Sequence, residues 1–100
     1  MDSMTTPGSV APPPFSPVDA ALQIKRSLRD LKLTERGNGF ELRGKRVVEL
    51  DIDDNSLQAR IARKPALTPE WDRLVLHSTT DQRKFNDEVK KRLARWAETD

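Results

Sequence analysis

The chain has 100 residues, the length of one domain, with 18 Lys and Arg against 16 Asp and Glu for a net charge of +2, and it contains no cysteine. The missing thiols exclude disulfides, thiolate nucleophiles and cysteine-ligated zinc, and a charge this near balance gives weak long-range steering toward any polyanion. No stretch approaches the ~20 apolar residues of a membrane helix, and the first residues lack the basic cap and apolar run of a secretory signal, so a cytoplasmic address is expected. Arginine outnumbers lysine, eleven to seven, a usage common in GC-rich bacterial genomes.

Residues 1–16 are built differently from the rest. Pro7, Pro12, Pro13 and Pro14 remove backbone donors, Asp2 is the one charge, and the few apolar side chains cannot offset the entropy of ordering the segment. The expectation is a disordered tail over 1–16 and a single α+β domain over 17–100. The signals then turn helical. Ser16 suits an N-cap, Pro17 the first helical position, and Asp19 the positive helix terminus. Ala21, Ile24, Leu28 and Leu31 recur at helical spacing, Val18 and Leu22 widen the stripe, and Lys25, Arg26, Arg29 and Lys32 lie off it. Gly37, Asn38 and Gly39 can take backbone angles that stop a helix, so the spacing predicts one of about 17 residues ending before Gly37.

From Phe40 the period becomes two: Phe40 and Leu42 alternate with Glu41 and Arg43, and Val48, Leu50 and Ile52 with Val47, Glu49 and Asp51. For Phe40 and Val48 to share a face, the loop between the strands needs an odd number of residues. Arg43-Gly44-Lys45 is preferred over Gly44-Lys45-Arg46, because the latter sets Glu41 against Glu49. Asp53, Asp54, Asn55 and Ser56 are turn residues throughout. A four-residue loop there pairs Ile52 with Leu57, Leu50 with Ala59, Val48 with Ile61, Glu49 with Arg60 and Asp51 with Gln58. Apolar then meets apolar and acid meets base, which places strands at 46–52 and 57–63. Residues 64–72 read as irregular. The Leu-Val-Leu run within 73–77 favours a strand facing Leu74 and Leu76 inward, over a short helix capped by Thr68. In the last helix Ser78, Thr79 and Thr80 offer caps, Thr79 with Gln82 reads as a capping box, and Phe85, Val89, Leu93 and Trp96 form the stripe. Asp87–Lys91 and Glu88–Arg92 are acid-before-base pairs one turn apart. The order is α-β-β-β-(β)-α, an antiparallel meander with both helices on one face.

Few residues offer chemistry. His77 is the one histidine, and Ser78, its neighbour in an extended chain, points to the opposite face, so they are not a catalytic dyad. Asp51, Asp53 and Asn55 imitate the opening of a calcium loop, but Ser56 and Ala62 stand where glycine and glutamate are required. On this register Arg60 stands opposite Glu49 and neutralises its charge, so acid–base duty is not expected of it. Gly37, Gly39 and Gly44 sit in turns and cradle no phosphate. No enzyme, metal or cofactor is therefore expected.

Two surfaces remain. If both helices cover one side of the sheet, Val47, Ala62 and Val75 stand among Glu49, Arg60 and His77 on the other, a mixed face suited to docking a protein partner. On the last helix, Arg83 and Lys84 open a basic row that Lys90, Lys91, Arg92 and Arg95 crowd at its end. Helix–strand–strand–strand–helix is also the order of double-stranded-RNA-binding domains. Their Lys-Lys-x-Ala-Lys at the second helix is absent here, and Asp81 and Asp87 interleave with the cations. Type III secretion chaperones combine sheet and helices similarly as dimers, but are acidic and longer. The expected function is a small non-catalytic protein–protein interaction module, a monomer or weak homodimer. The alternative is weak electrostatic nucleic-acid binding through the last helix.

Overall fold

The computed structural model describes residues 15–99; residues 1–14 and Asp100 lie outside the described residues, and most of the expected tail with them. Phe15 and Ser16, assigned to that tail, are part of the folded unit. Phe15 packs its ring against the core, and the Ser16 Oγ accepts the Asp19 N–H at 3.2 Å as N-cap of the first helix, α1, Pro17–Asp30. Pro17, Ala20, Ala21, Ile24 and Leu28 are buried. Val18 and Leu22, expected to widen the stripe, are 53% and 55% exposed. At 100° per residue, Leu22 lies nearly opposite Ile24 on the helix barrel, beyond reach of the sheet.

Helix α1 has 14 residues and stops well short of Gly37. Its end is a Schellman motif with lysine where glycine is usual. Lys32 takes φ of 72°, its N–H donates to the Arg29 carbonyl at 3.0 Å, and the Leu33 N–H donates to the Leu28 carbonyl at 3.1 Å. Leu33 and Leu28 are both buried, and that apolar contact offsets the strain of a left-handed lysine.

The freed residues make an additional hairpin. Strand β1, Thr34–Arg36, pairs with β2, Gly39–Leu42, across the two-residue loop Gly37-Asn38, with Gly37 at φ of 61°. Strand β2 joins β3, Lys45–Ile52, through Arg43 and Gly44, at φ of 54° and 83°. Two positive φ values are the type I′ geometry that suits twisted strands. The loop is thus two residues, not three, and the parity is restored elsewhere. Leu42 faces Lys45 and Glu41 faces Arg46, but Phe40 faces Val48, which leaves Val47 as the extra residue of a β-bulge. Phe40 and Val48 meet as expected, by this different route.

The next hairpin has the expected register at every position: β3 pairs with β4, Leu57–Ala62, from Val48↔Ile61 to Ile52↔Leu57. The ambiguous segment is a strand, β5, Trp71–Leu76, beginning at Trp71 inside the stretch expected to be irregular. The sheet is antiparallel in the order β1-β2-β3-β4-β5. The second helix, α2, Thr79–Thr99, is capped one residue earlier than the Thr79–Gln82 box implies: the Ser78 Oγ accepts the Asp81 N–H at 3.1 Å.

One row of cross-strand neighbours fixes the layering. Glu35, Phe40, Val48, Ile61 and Asp72 stand opposite one another in succession and so share a face. Glu35 at one end pairs with Lys25 and Arg29 of α1, and Asp72 at the other with Arg92 of α2. Both helices therefore cover the same side. Between them lie Phe40, Ile61, Leu28 and Phe85, all fully buried, with Leu50 and Val89 nearly so and Leu93 half-buried at the margin.

Lys32 generates a test. Lys32→Gly relieves the left-handed strain at an exposed position, and unfolding in urea should show a gain of about 0.5–1 kcal/mol. A lower midpoint would mean that the lysine side chain itself holds the α1 terminus.

Candidate functional site

The outer sheet face differs from the expected docking surface. Val47 is fully buried, because a bulge residue leaves the alternation and turns in beside Val48. Ala62 is fully buried as well: with β5 starting at Trp71, the indole stands directly opposite it, and Arg92 Nη1 donates to its carbonyl at 3.1 Å. Glu49 and Arg60 are on that face but engaged with each other, at 2.7 Å. Val75 is 40% exposed, and His77 is exposed with its backbone N–H donated to Asp81 Oδ2 at 3.0 Å. The six residues form no apolar patch.

A network of charges takes its place. Arg60 also reaches Asp51 at 3.1 Å, Arg46 Nε bonds Glu49 at 2.7 Å, and Arg36 lies 3.3 Å from Glu41. Asn38 ties this to the first hairpin: its Nδ2 donates to Asp51 at 3.0 Å, and its Oδ1 accepts from Arg46 Nη2 at 2.5 Å. Gly39 makes room for this. A Cβ there would lie 2.6 Å from the Val48 carbonyl oxygen and 2.7 Å from the Arg46 guanidinium carbon. Asp51, the first residue of the calcium-loop imitation, is thereby occupied, and Asp53 closes its own turn by donating its N–H to the Ser56 carbonyl at 2.9 Å.

A second cluster fastens α2 to the sheet. Asp72 receives Arg63 Nε at 2.9 Å and Arg92 Nη2 at 2.8 Å, while Arg92 Nε bonds Glu88 at 2.7 Å. The hydrogen bonds from Arg63 and then Arg92 hold the Asp72 carboxyl below the usual carboxylate range, and Asp72 in turn raises Arg63. Arg92, counted with the basic row, is thus turned inward with its side chain 14% exposed. Arg83, Lys84, Lys90, Lys91 and Arg95 are exposed as expected. Among the described residues none of these five has a carboxylate at ion-pair distance, and the expected Asp87–Lys91 pair does not close.

The free edge of β5 went unnoticed in the sequence because 71–77 could not be fixed as a strand. The Arg63 N–H donates to the Glu70 carbonyl at 2.9 Å, which sets the hydrogen-bonded pairs at Ile61–Asp72, Ala59–Leu74 and Leu57–Leu76. The backbone groups of Trp71, Arg73 and Val75 consequently point away from β4, off the end of the sheet. Among the described residues no helix is long and apolar enough to cross a membrane, and no three His, Cys, Asp or Glu side chains are grouped to hold a metal. Compared with family models, curated proteins and solved structures, the chain matches none.

The Asp72 cluster sets a pH dependence. A carboxyl whose folded pKa is depressed contributes stability above its unfolded value, about 4, and loses that contribution as pH falls through the folded value. Wild type should therefore exceed Asp72→Asn in urea midpoint at about pH 6, with the difference closing toward about pH 2. A difference independent of pH would show that shape, not charge, holds Arg92.

Proposed function

We propose that the chain is a non-catalytic interaction module whose partner is a protein, acting as a monomer in the cytoplasm. The observation that carries this reading is the outer edge of β5, where the amides and carbonyls of Trp71, Arg73 and Val75 lack strand partners among the described residues. An unpaired edge is a template for an added strand. Four carboxylates are committed to structure: Glu49 and Asp51 to arginines, Asp72 to Arg63 and Arg92, and Asp81 to the His77 amide. Among the described residues, a concavity of about 360 Å³ lined by Arg63, Lys64, Ala66, Thr68, Pro69 and Glu70 pairs no nucleophile with a base. The test is native co-purification followed by reconstitution with the purified partner, reading amide exchange. Slowed exchange at Trp71, Arg73 and Val75 is the expected result; a partner that leaves β5 unchanged removes the edge from the account.

One observation favours a second reading, electrostatic binding of nucleic acid: five cations of α2, Arg83, Lys84, Lys90, Lys91 and Arg95, are exposed and have no carboxylate at ion-pair distance among the described residues. Such binding is independent of sequence and weakens with salt, with a slope of about −0.9 per phosphate contacted on duplex DNA. Lys91→Glu with Arg95→Glu should abolish a gel shift while leaving the unfolding midpoint in place, both side chains being exposed. Binding untouched by that double change, or insensitive to salt, would move the contact off α2.

A further inference from the structure

We infer that the β5 edge accepts an extended acidic segment of a partner protein, added as a sixth antiparallel or parallel strand and held by charge from α2. The inference rests on the reading of the chain as a protein-binding module and gives that partner its chemistry. Two independent features converge on the same edge. The first is the backbone: Trp71, Arg73 and Val75 present donors and acceptors unpaired among the described residues, and the series ends at His77, whose N–H Asp81 already holds. The second is charge. Gln82 Nε2 donates to Gln23 Oε1 at 2.7 Å, so that side of α2 faces α1. Arg92 reaches Asp72, so its side faces β5. Lys84, Lys91 and Arg95 lie one turn from Glu88 and Arg92, on the flank away from α1, above the open edge.

Those three cations have no carboxylate partner among the described residues, whereas Arg36, Arg46, Arg60, Arg63 and Arg92 each have one. Arg73, on β5 itself, adds an exposed and unpaired cation on the opposite face of the same edge. Side chains of an added strand alternate between the two faces. Carboxylates on the helix side would meet Lys84, Lys91 and Arg95, and apolar residues on the outer side would lie against Trp71 and the exposed Val75. The occupant is thus an extended segment alternating acidic and apolar residues. On the sheet face beside it, Arg36, Arg46 and Arg60 are already paired with Glu41, Glu49 and Asp51, which leaves Arg73 as the cation next to the added strand.

The test uses the full chain and three synthetic peptides: one alternating Glu and Val, the same peptide N-methylated at the amides that would face β5, and one alternating Lys and Val. The Glu/Val peptide should bind and slow amide exchange at Trp71, Arg73 and Val75 by about tenfold or more. N-methylation should abolish binding, Lys91→Glu with Arg95→Glu should weaken it by about tenfold or more, and the Lys/Val peptide should not bind. Val75→Pro, which removes an amide that β4 does not use, should weaken it without loss of fold; if that variant unfolds, the N-methylated peptide still decides. The proposal is overturned if the Glu/Val peptide does not bind, if N-methylation leaves binding intact, if duplex DNA protects these amides in its place, or if they become protected with rising protein concentration alone. Carrying the Lys91→Glu, Arg95→Glu variant through capture of the native partner separates the two readings. A partner held equally well by that variant overturns the acidic strand and leaves the module standing; a chain that holds no protein at all removes both.

Discussion

The extra residue at Val47 decides which half of the sheet's side chains meets the helices. The type I′ turn at Arg43 and Gly44 is even, so a regular ladder would continue from Glu41–Arg46 to Phe40–Val47 and carry Glu49 and Asp51 onto the core side. The bulge shifts the register by one, Phe40 meets Val48, and both valines are buried. Because side chains alternate with a period of two, that single shift fixes every later position. Leu50 and Ala59 then face the helices, while Glu49, Asp51 and Arg60 face out. A buried unpaired carboxylate costs several kcal/mol, so the in-register alternative is not a competitor.

The same alternation sorts the cations into two populations. On the outer face Arg36 and Arg60 find carboxylates across the strands and Arg46 one on its own strand, at separations between 2.7 and 3.3 Å. Each such pair, partly exposed, contributes no more than about 1 kcal/mol to stability. Their larger effect is on recognition, since a partner covering this face would have to desolvate charges that are already satisfied. Among the described residues Arg83, Lys84, Lys90, Lys91 and Arg95 of α2 have no such partners, since the nearby acids Glu88 and Asp72 both serve Arg92. In the proposed reading, binding therefore falls to the β5 edge and the overhanging helix and not to the broad sheet face where the alternation pointed.

Legibility in the sequence followed the locality of the constraint. The β3–β4 register could be read because Asp53, Asp54, Asn55 and Ser56 fix a loop length and the flanking residues match in two independent ways. The α2 stripe could be read because Phe85, Val89 and Trp96 repeat over several turns. The end of α1 could not, since the residue in the left-handed position is Lys32, and what sustains it is the Leu28–Leu33 contact rather than any glycine. The first hairpin carried a signal, Gly-Asn between Arg36 and Gly39, which reads as a two-residue turn once the helix is known to stop at Asp30. Val47 and Ala62 were misread for different reasons: the bulge takes Val47 out of the alternation, whereas Ala62 keeps its side of the sheet and is covered there by Trp71. The charges of the outer face were found in sequence only where they lie on β3 and β4; Asn38 and Arg36 join them through a strand the pattern did not reveal.

The proposed acidic-strand site at the β5 edge also carries charges that oppose a second copy of the chain. Two β5 strands related by a two-fold axis through Arg73 would set one guanidinium against another. Moving the axis to Leu74 relieves that clash, but then the flanks of the two α2 helices face each other, and Lys84, Lys91 and Arg95 meet their own equivalents. Like charges opposed in this way disfavour association, and lysine beside an edge is a common means of preventing sheet-to-sheet growth. The same positive flank that rejects a second copy favours a strand of opposite sign. Selection between the two requires no change of shape, because Arg92 on Asp72 and the Trp96 indole, whose Nε1 donates to the Arg63 carbonyl at 3.4 Å, already hold α2 over the sheet beside that edge.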